Sequence, residues 1–357
     1  MPRILLPRIL LEVTADSTPA AVDCWYLTGP TAAGKTHVGI ELARRIGAEI
    51  VSLDSMAVYR EMDIGTAKPS AAQRQAVPHH LIDVVPPTED FSLSEYVDAA
   101  HAAIVDIRGR GHEVLFVGGT PLYLKALLRG VYQGPPADWE FRAAIERDLQ
   151  SVPLAALHQR LQVVDPLLAA KLHPNDKRRI VRGLEVFKTT GQRLSHLQTQ
   201  FDEAQQAEAV NVFVLSWPRE ALQRRIDARV ESMFASGFVA EVEGLLARYG
   251  TLSRTAIQAV GYREVVEKLG GGSGLGARGA GDRGQGTGDR KKSEVGGQRA
   301  EESWADCVER VKVRTRQFAK RQETWFRSLS ECTSVTMEED FEPGVVAEKI
   351  LSAVKGA

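Results

Sequence analysis

The sequence predicts an α/β fold, a parallel sheet core flanked by helices, with a helical insertion domain. Three observations predict it. Short apolar runs alternate with segments of helical period. A glycine-bounded loop, GPTAAGKT at Gly29–Thr36, joins one such run to a helix. From about Ala137 to Ala207 the strand-like runs vanish and helical patterns replace them.

Taken in order, residues 1–22 read as a loose leader, and Cys24–Thr28 (CWYLT) as a short buried strand. Val38–Ile46 has helical period, and Glu49–Leu53 is a second strand ending at Asp54. Ser92–Gly109 reads as a helix with Ser94 as its N-cap and Val97, Ile104 and Ile107 on its apolar face. Glu113–Val117 is a strand, followed by Gly118-Gly119-Thr120 and a helix at Leu122–Leu128. Val212–Leu215 restores a strand after the helical stretch, and Arg219–Tyr249 and Ala305–Phe326 are helical.

The resulting division is a first core part at 23–136, an insertion at 137–207 and a second core part at 208–330. An acidic C-terminal segment follows at 331–357. Residues 270–290 hold ten glycines in 21 positions, a composition that buries no core. The stretch 270–300 therefore reads as a disordered insert in the second core part, and an RNA-binding glycine-rich tract is the alternative.

Of 357 residues, 43% are hydrophobic and 25% charged, which excludes a wholly disordered chain. Cys24, Cys307 and Cys332 are too few and scattered for a disulfide scaffold, and no CxxC pair supports a structural zinc. Ile4–Leu11 is apolar but is interrupted by Pro7 and Arg8 and falls far short of a spanning helix. A soluble, cytoplasmic protein is expected, with a short basic leader as the weaker alternative. The net charge of -1 conceals its distribution. Lys171–Arg193 and Val308–Arg327 each hold seven basic residues against two acids, whereas Glu331–Lys349 holds six acids against one lysine. Local clusters, not the sum, govern attraction to a phosphate backbone.

GPTAAGKT fits G-x-x-x-x-G-K-[ST] between a strand and a helix, so the core is expected to be P-loop NTPase-like. The glycines let backbone N–H groups turn inward around phosphate oxygens. Lys35 adds a cation, Thr36 offers a hydroxyl to Mg²⁺, and the helix N-terminus favours anions. An ATPase would carry an acid at the end of another strand, yet the strand ending at Val117 runs into Gly-Gly-Thr. Asp54 ends the other strand. It reads equally as a magnesium-holding carboxylate, a base acting on a second substrate, or a cap in a loop.

SLDSMAVYREMDIGTAKP (Ser52–Pro69), HHLIDVVPP (His79–Pro87) and VGGTPLYL (Val117–Leu124) follow the phosphate loop in order. NDKRRIVRGLEVF (Asn175–Phe187), RIDARVESMFASGFVAEV (Arg225–Val242), QAVGYRE (Gln258–Glu264) and TRQFAKRQETWFR (Thr315–Arg327) continue the series. Together they resemble the bacterial tRNA dimethylallyltransferase family, over about Cys24–Arg327 apart from the glycine-rich insert. The resemblance implies transfer of a dimethylallyl group from dimethylallyl diphosphate to the exocyclic amine of the adenosine 3′ of the anticodon, with pyrophosphate leaving. The partners implied are dimethylallyl diphosphate and the tRNA anticodon stem-loop, the cofactor is Mg²⁺, and a monomer is expected.

The same resemblance places roles on residues. Gly29, Pro30, Thr31, Ala32, Ala33, Gly34, Lys35, Thr36 and Arg229 would hold the diphosphate, with Thr36 on the metal. Asp54 would be the catalytic base, assisted by Lys35 and Thr36. Asp54, Ser55, Met56, Ala57 and Thr120 would meet the flipped-out adenosine and its RNA. Arg142, the segment Arg178, Arg179, Ile180, Val181 and Arg182, and Lys320, Arg321 and Gln322 would bind tRNA. Arg225 lies one helical turn before Arg229. Without the resemblance that pair would read as a solvated face bonded to Asp227 or Glu231. Phe318 and Trp325 are expected to be core anchors, and His79-His80 structural, since neighbours on a strand face opposite ways. Ala33 stands where the family commonly has serine, and Arg178 where it has glutamine. No Cys/His ligand set like the zinc finger of the eukaryotic relatives follows Arg327. The competing readings are a small-molecule prenyltransferase, a P-loop kinase and a non-catalytic RNA-binding module.

Overall fold

The structure, a computed structural model, describes residues 21–130, 134–197, 211–270 and 303–355. Most of the leader and all but Gly270 of the glycine-rich insert lie outside the described residues. Six strands form one parallel sheet in the order β3-β2-β4-β1-β5-β6. They are β1 (Trp25–Thr28), β2 (Ala48–Ser52), β3 (His79–His80), β4 (Glu113–Val117), β5 (Val212–Ser216) and β6 (Thr333–Thr336).

Side-chain alternation divides the core between the two faces of this sheet. Leu27, Ile50, Leu115, Phe213 and Leu215 pack on one face beneath α1 (Lys35–Ile46), α10 (Arg219–Ala235) and α14 (Pro343–Lys355). Tyr26, Val51, Val114, Phe116 and Val212 pack on the other beneath α3 (Leu93–Gly109) and α4 (Pro121–Arg129). Both faces are covered, so the central strands read as continuous apolar runs. Glu49 is a charged exception, buried in β2 and held by the Arg110 guanidinium and by His80 Nε2 at 2.6 Å. The Arg110 hydrogen bonds and His80 keep its carboxyl below the usual range despite burial. His79 Nδ1 meets the Val77 carbonyl at 2.7 Å, so both histidines are engaged within the fold.

The chain leaves β1 toward one face of the sheet through α1, and leaves β4, its neighbour, toward the other through α4. A crevice therefore opens at the carboxyl ends of β1 and β4, where parallel α/β sheets bind ligands.

Residues 139–197 form α5 (Trp139–Asp148), α6 (Leu154–Val164), α7 (Pro166–Lys171), α8 (Lys177–Thr190) and α9 (Leu194–Leu197). They bury their own apolar cluster, built on Ile145, Leu157, Leu161, Ile180 and Val181. A further cluster joins Tyr59 and Met62 to α11 (Phe238–Tyr249), α12 (Tyr262–Lys268) and Cys307 of α13 (Trp304–Arg327).

Three expectations need correction. The N-cap of α3 is Ser92, not Ser94: Ser92 Oγ accepts from Glu95 N while the Glu95 carboxylate accepts from Ser92 N. This reciprocal pair needs three residues of spacing, which Ser94 lacks. Arg219–Tyr249 is helical as expected, as two helices divided where Gly237 adopts φ 96°. The acidic segment supplies β6 and α14, so the sheet extends past residue 330. Phe318 and Trp325 remain partly exposed, and Phe326 is the aromatic anchored in the core.

Candidate active site

The Gly29–Thr36 loop runs from β1 into α1 with four of its carbonyls hydrogen-bonded by side chains. Arg225 Nε donates to the Ala32 carbonyl at 2.9 Å, and Trp217 Nε1 to that of Ala33 at 3.0 Å. Lys35 Nζ donates to the carbonyls of Gly29 and Pro30, at 3.0 and 2.7 Å. Ala32 takes φ 63°, an unfavourable setting for a residue with a Cβ, which these anchors sustain. Gly34 caps α1 with no side-chain acceptor, so the first-turn N–H groups are left to an anion.

Two further residues shape the loop from afar. The Arg225 guanidinium lies 4.3 Å from the Trp217 ring and 5.3 Å from that of Phe341. Phe341 also closes over Gly34, where an added Cβ would come within 2.7 Å of its ring. Arg225 is thus a support behind the loop. The solvated-face alternative fails on partners, since Asp227 binds Arg316 and Glu231 binds Lys312.

Arg229, one turn on, faces inward. Burial, then the Arg229 charge, pulls the Lys35 ammonium down to about 7, and the Asp54 carboxylate opposes them. Burial likewise lowers Arg229, again opposed by Asp54. Two cations and one carboxylate therefore converge at the end of the loop. An arriving diphosphate would restore the favoured ammonium form of Lys35. A cleft of about 660 Å³ opens beside Arg229, between residues 63–74 and Ser232–Ser236.

Asp54 follows β2, and its Oδ1 accepts from Met56 N at 2.8 Å, turning the chain sharply. Ser55 N donates to Thr120 Oγ1 at 3.1 Å, joining this turn to the Gly118-Gly119-Thr120 loop after β4. Gly118 presses on the chain just before Asp54: a Cβ there would lie 2.2 Å from the Leu53 carbonyl oxygen. Beyond the turn, one Glu241 carboxylate accepts from Asp63, Ile64 and Gly65 N and from the Tyr262 hydroxyl. Lys68 ties Asp63, Asp83 and the Tyr59 carbonyl together. The long Ser52–Pro69 motif is thus a folded strap around the site.

Several expected contact residues lie elsewhere. Gln322 is only 4% exposed. Its Oε1 accepts from Thr31 N at 2.9 Å and its Nε2 donates to the Gly119 carbonyl, so it joins the phosphate loop to the loop after β4. It cannot also present its amide to RNA at the surface. Ile180, Val181 and Ala57 are buried in packing and leave the contact set. Met56 is half-buried, whereas Lys320, Arg321, Arg178 and Arg179 are exposed. Arg142 spends both arms on Glu185, at 2.7 and 2.8 Å, and Arg182 shares that carboxylate at 2.6 Å. Glu185 is fully buried; burial pushes its carboxyl up, but the two guanidiniums hold it below the usual range.

Among the described residues no group of three His, Cys, Asp or Glu side chains gathers to hold a metal ion. The donor at hand, the Thr36 hydroxyl at the start of α1, fits a Mg²⁺ that takes most of its oxygens from a bound diphosphate and water. Among the described residues no helix is long and apolar enough to cross a membrane.

Known proteins resemble the chain over most of its length. The family model described as IPP transferase matches residues 57–329. The chain is 46% identical to a tRNA dimethylallyltransferase of Rhodopirellula baltica over 336 residues, covering 92% of each chain. It is 41% identical to one of Geobacter metallireducens, covering 92% of this chain and 95% of that one. Among solved structures it is similar to the tRNA isopentenylpyrophosphate transferase of Bacillus halodurans, at 32% identity and a TM-score of 0.61, covering 94% and 97%. A eukaryotic dimethylallyltransferase acting on tRNA superimposes with a TM-score of 0.67 at 26% identity, covering 88% of this chain and 73% of that one.

Proposed function

The chain belongs to the IPP transferase family, and on that premise we infer that it transfers a dimethylallyl group to tRNA. The donor is dimethylallyl diphosphate. The acceptor is the N6 amine of the adenosine 3′ of the anticodon, and pyrophosphate is released. The observation that carries this reading is the convergence of Asp54 with Lys35 and Arg229 between the phosphate loop and Thr120. One end of the site suits a diphosphate and the other a nucleophile that must lose a proton.

In this reading the loop N–H groups, Lys35 and Arg229 bind the diphosphate. Charge accumulates there as the carbon–oxygen bond to the dimethylallyl group breaks, so preorganised cations act most strongly at that moment. Thr36 would hold Mg²⁺, which supplies further neutralisation of the diphosphate. As N6 bonds to the allylic carbon, Asp54 accepts the proton that N6 loses. The adenosine turns out of the anticodon loop to reach Ser55 and Thr120. The exposed Lys320, Arg321, Arg178 and Arg179 face the RNA backbone. The protein acts as a monomer in the cytoplasm.

Incubating the protein with labelled dimethylallyl diphosphate, labelled ATP and tRNA tests the assignment. Label from dimethylallyl diphosphate should enter tRNA while ATP is untouched. ATP consumption without prenyl transfer would refute it and favour a kinase.

Gln322 offers a separate check. Gln322→Leu leaves the Thr31 N–H and the Gly119 carbonyl without their partner, which costs about 1–3 kcal/mol. The expected result is a lower melting temperature and a KM for dimethylallyl diphosphate raised about tenfold, since ~1.4 kcal/mol is a factor of ten. A rise confined to the KM for tRNA would instead return Gln322 to the RNA surface.

A further inference from the structure

One exposed aromatic in the insertion sits among guanidiniums from both parts of the molecule. Trp139 opens α5 and is 52% exposed. The Arg254 guanidinium, from the core, lies 4.3 Å from its ring centroid, and that of Arg142 lies 5.0 Å away. Both supports are fixed. On the core side Ser253 N donates to the Pro87 carbonyl at 2.7 Å, and Thr255 N to Asp90 Oδ1 at 3.0 Å. On the insertion side Asp138 N donates to the buried Glu185. The Arg254 side chain is still 53% exposed, and its carboxylate partner, Asp90, stands off at 3.7 Å. Burial lowers Arg254, and the charges of Arg142 and Arg178 lower it further, against Asp90 and Glu185. Two guanidiniums thus flank a half-open indole, the charge of Arg178 acts on one of them, and of the two at the ring it is Arg142 that is closely paired, with Glu185.

We propose that Trp139 and Arg254 form an RNA-contact platform bridging the insertion and the core, which holds an unpaired nucleotide of the tRNA. A stacked indole and guanidinium offer planar surface to a base, and the surplus positive charge suits its phosphate. A contact serving only to join the two parts would bury the indole and pair Arg254 closely, whereas here the indole is half-exposed and the Arg254 carboxylate partner stands off. The inference rests on tRNA being the substrate and adds residues that the family resemblance did not supply.

The test uses the full chain, with unmodified tRNA for turnover and an anticodon stem-loop RNA for binding. Trp139→Ala and Arg254→Gln should each raise the stem-loop Kd and the tRNA KM about tenfold and leave the KM for dimethylallyl diphosphate unchanged. Arg254→Gln should also reduce the slope of log K against log salt by about one contact. Trp139→Phe should restore most of the affinity. Unchanged stem-loop Kd in both variants overturns the proposal, whatever their melting temperatures. So does a parallel rise in KM for both substrates, which marks a merely structural clasp. If the wild-type protein binds the stem-loop but transfers no prenyl group, the assigned reaction fails while the Kd comparison still decides the platform.

Discussion

Asp54→Asn is expected to lower kcat by about 10²- to 10⁴-fold while tRNA binding persists. Asparagine keeps an oxygen to accept from Met56 N, so the turn that follows β2 survives and the loss isolates the proton acceptor. Single-turnover transfer with saturating dimethylallyl diphosphate and tRNA, paired with tRNA Kd, measures it. Full turnover in Asp54→Asn would remove Asp54 from its role as base. Loss of tRNA binding together with turnover would instead make it a positioning group for the RNA.

Gly118→Ala should be nearly as damaging through packing alone. The new Cβ would lie 2.2 Å from the Leu53 oxygen and 2.3 Å from its carbonyl carbon, and backbone cannot yield as a flexible side chain does. The same oxygen accepts from Thr120 N at 3.1 Å, so the clash also strains the link between the Asp54 turn and Thr120. Overpacking of this kind costs about 1–3 kcal/mol, and the strained hydrogen bond about 1 kcal/mol more. A displacement near 1 Å at the reacting groups costs roughly 100-fold in rate. The expected result is a lowered melting temperature and a kcat reduced at least that far. Gly109→Ala, at the end of α3 with nothing within 4 Å of the added carbon, is the control and should change neither. Wild-type kcat in Gly118→Ala would mean that the Leu53–Asp54 backbone is not held where the reaction needs it.

Much of the fold and the local parts of the site are legible in the sequence because they rest on neighbours in the chain. Gly29–Thr36 declares itself by its glycines and by the strand and helix around it. The core strands declare themselves by continuous apolar runs. What was not legible depends on distance or on period. Gln322 joins Thr31 and Gly119 across 291 and 203 positions, and no local pattern distinguishes it from the exposed Lys320 and Arg321 beside it. Phe341 meets Gly34 from the acidic segment, whose charge masked its part in the core. β3 and β6 are two and four residues long at the sheet edges, too short for alternation to show. For Ile180 and Val181 the signal was present. In KRRIVRGLEVF the helical period turns Ile180, Val181 and Val186 inward and leaves Arg178 and Arg179 outside. That period separates the packing residues of the segment from those free to meet RNA.

The most direct test is nucleoside mass spectrometry of an unmodified tRNA after incubation with the purified protein, Mg²⁺ and dimethylallyl diphosphate. A tRNA carrying adenosine 3′ of its anticodon should gain one dimethylallyl group on N6 of that base and release one pyrophosphate for each group transferred. No prenylated adenosine at that position, or the group found elsewhere on the RNA, would contradict the account.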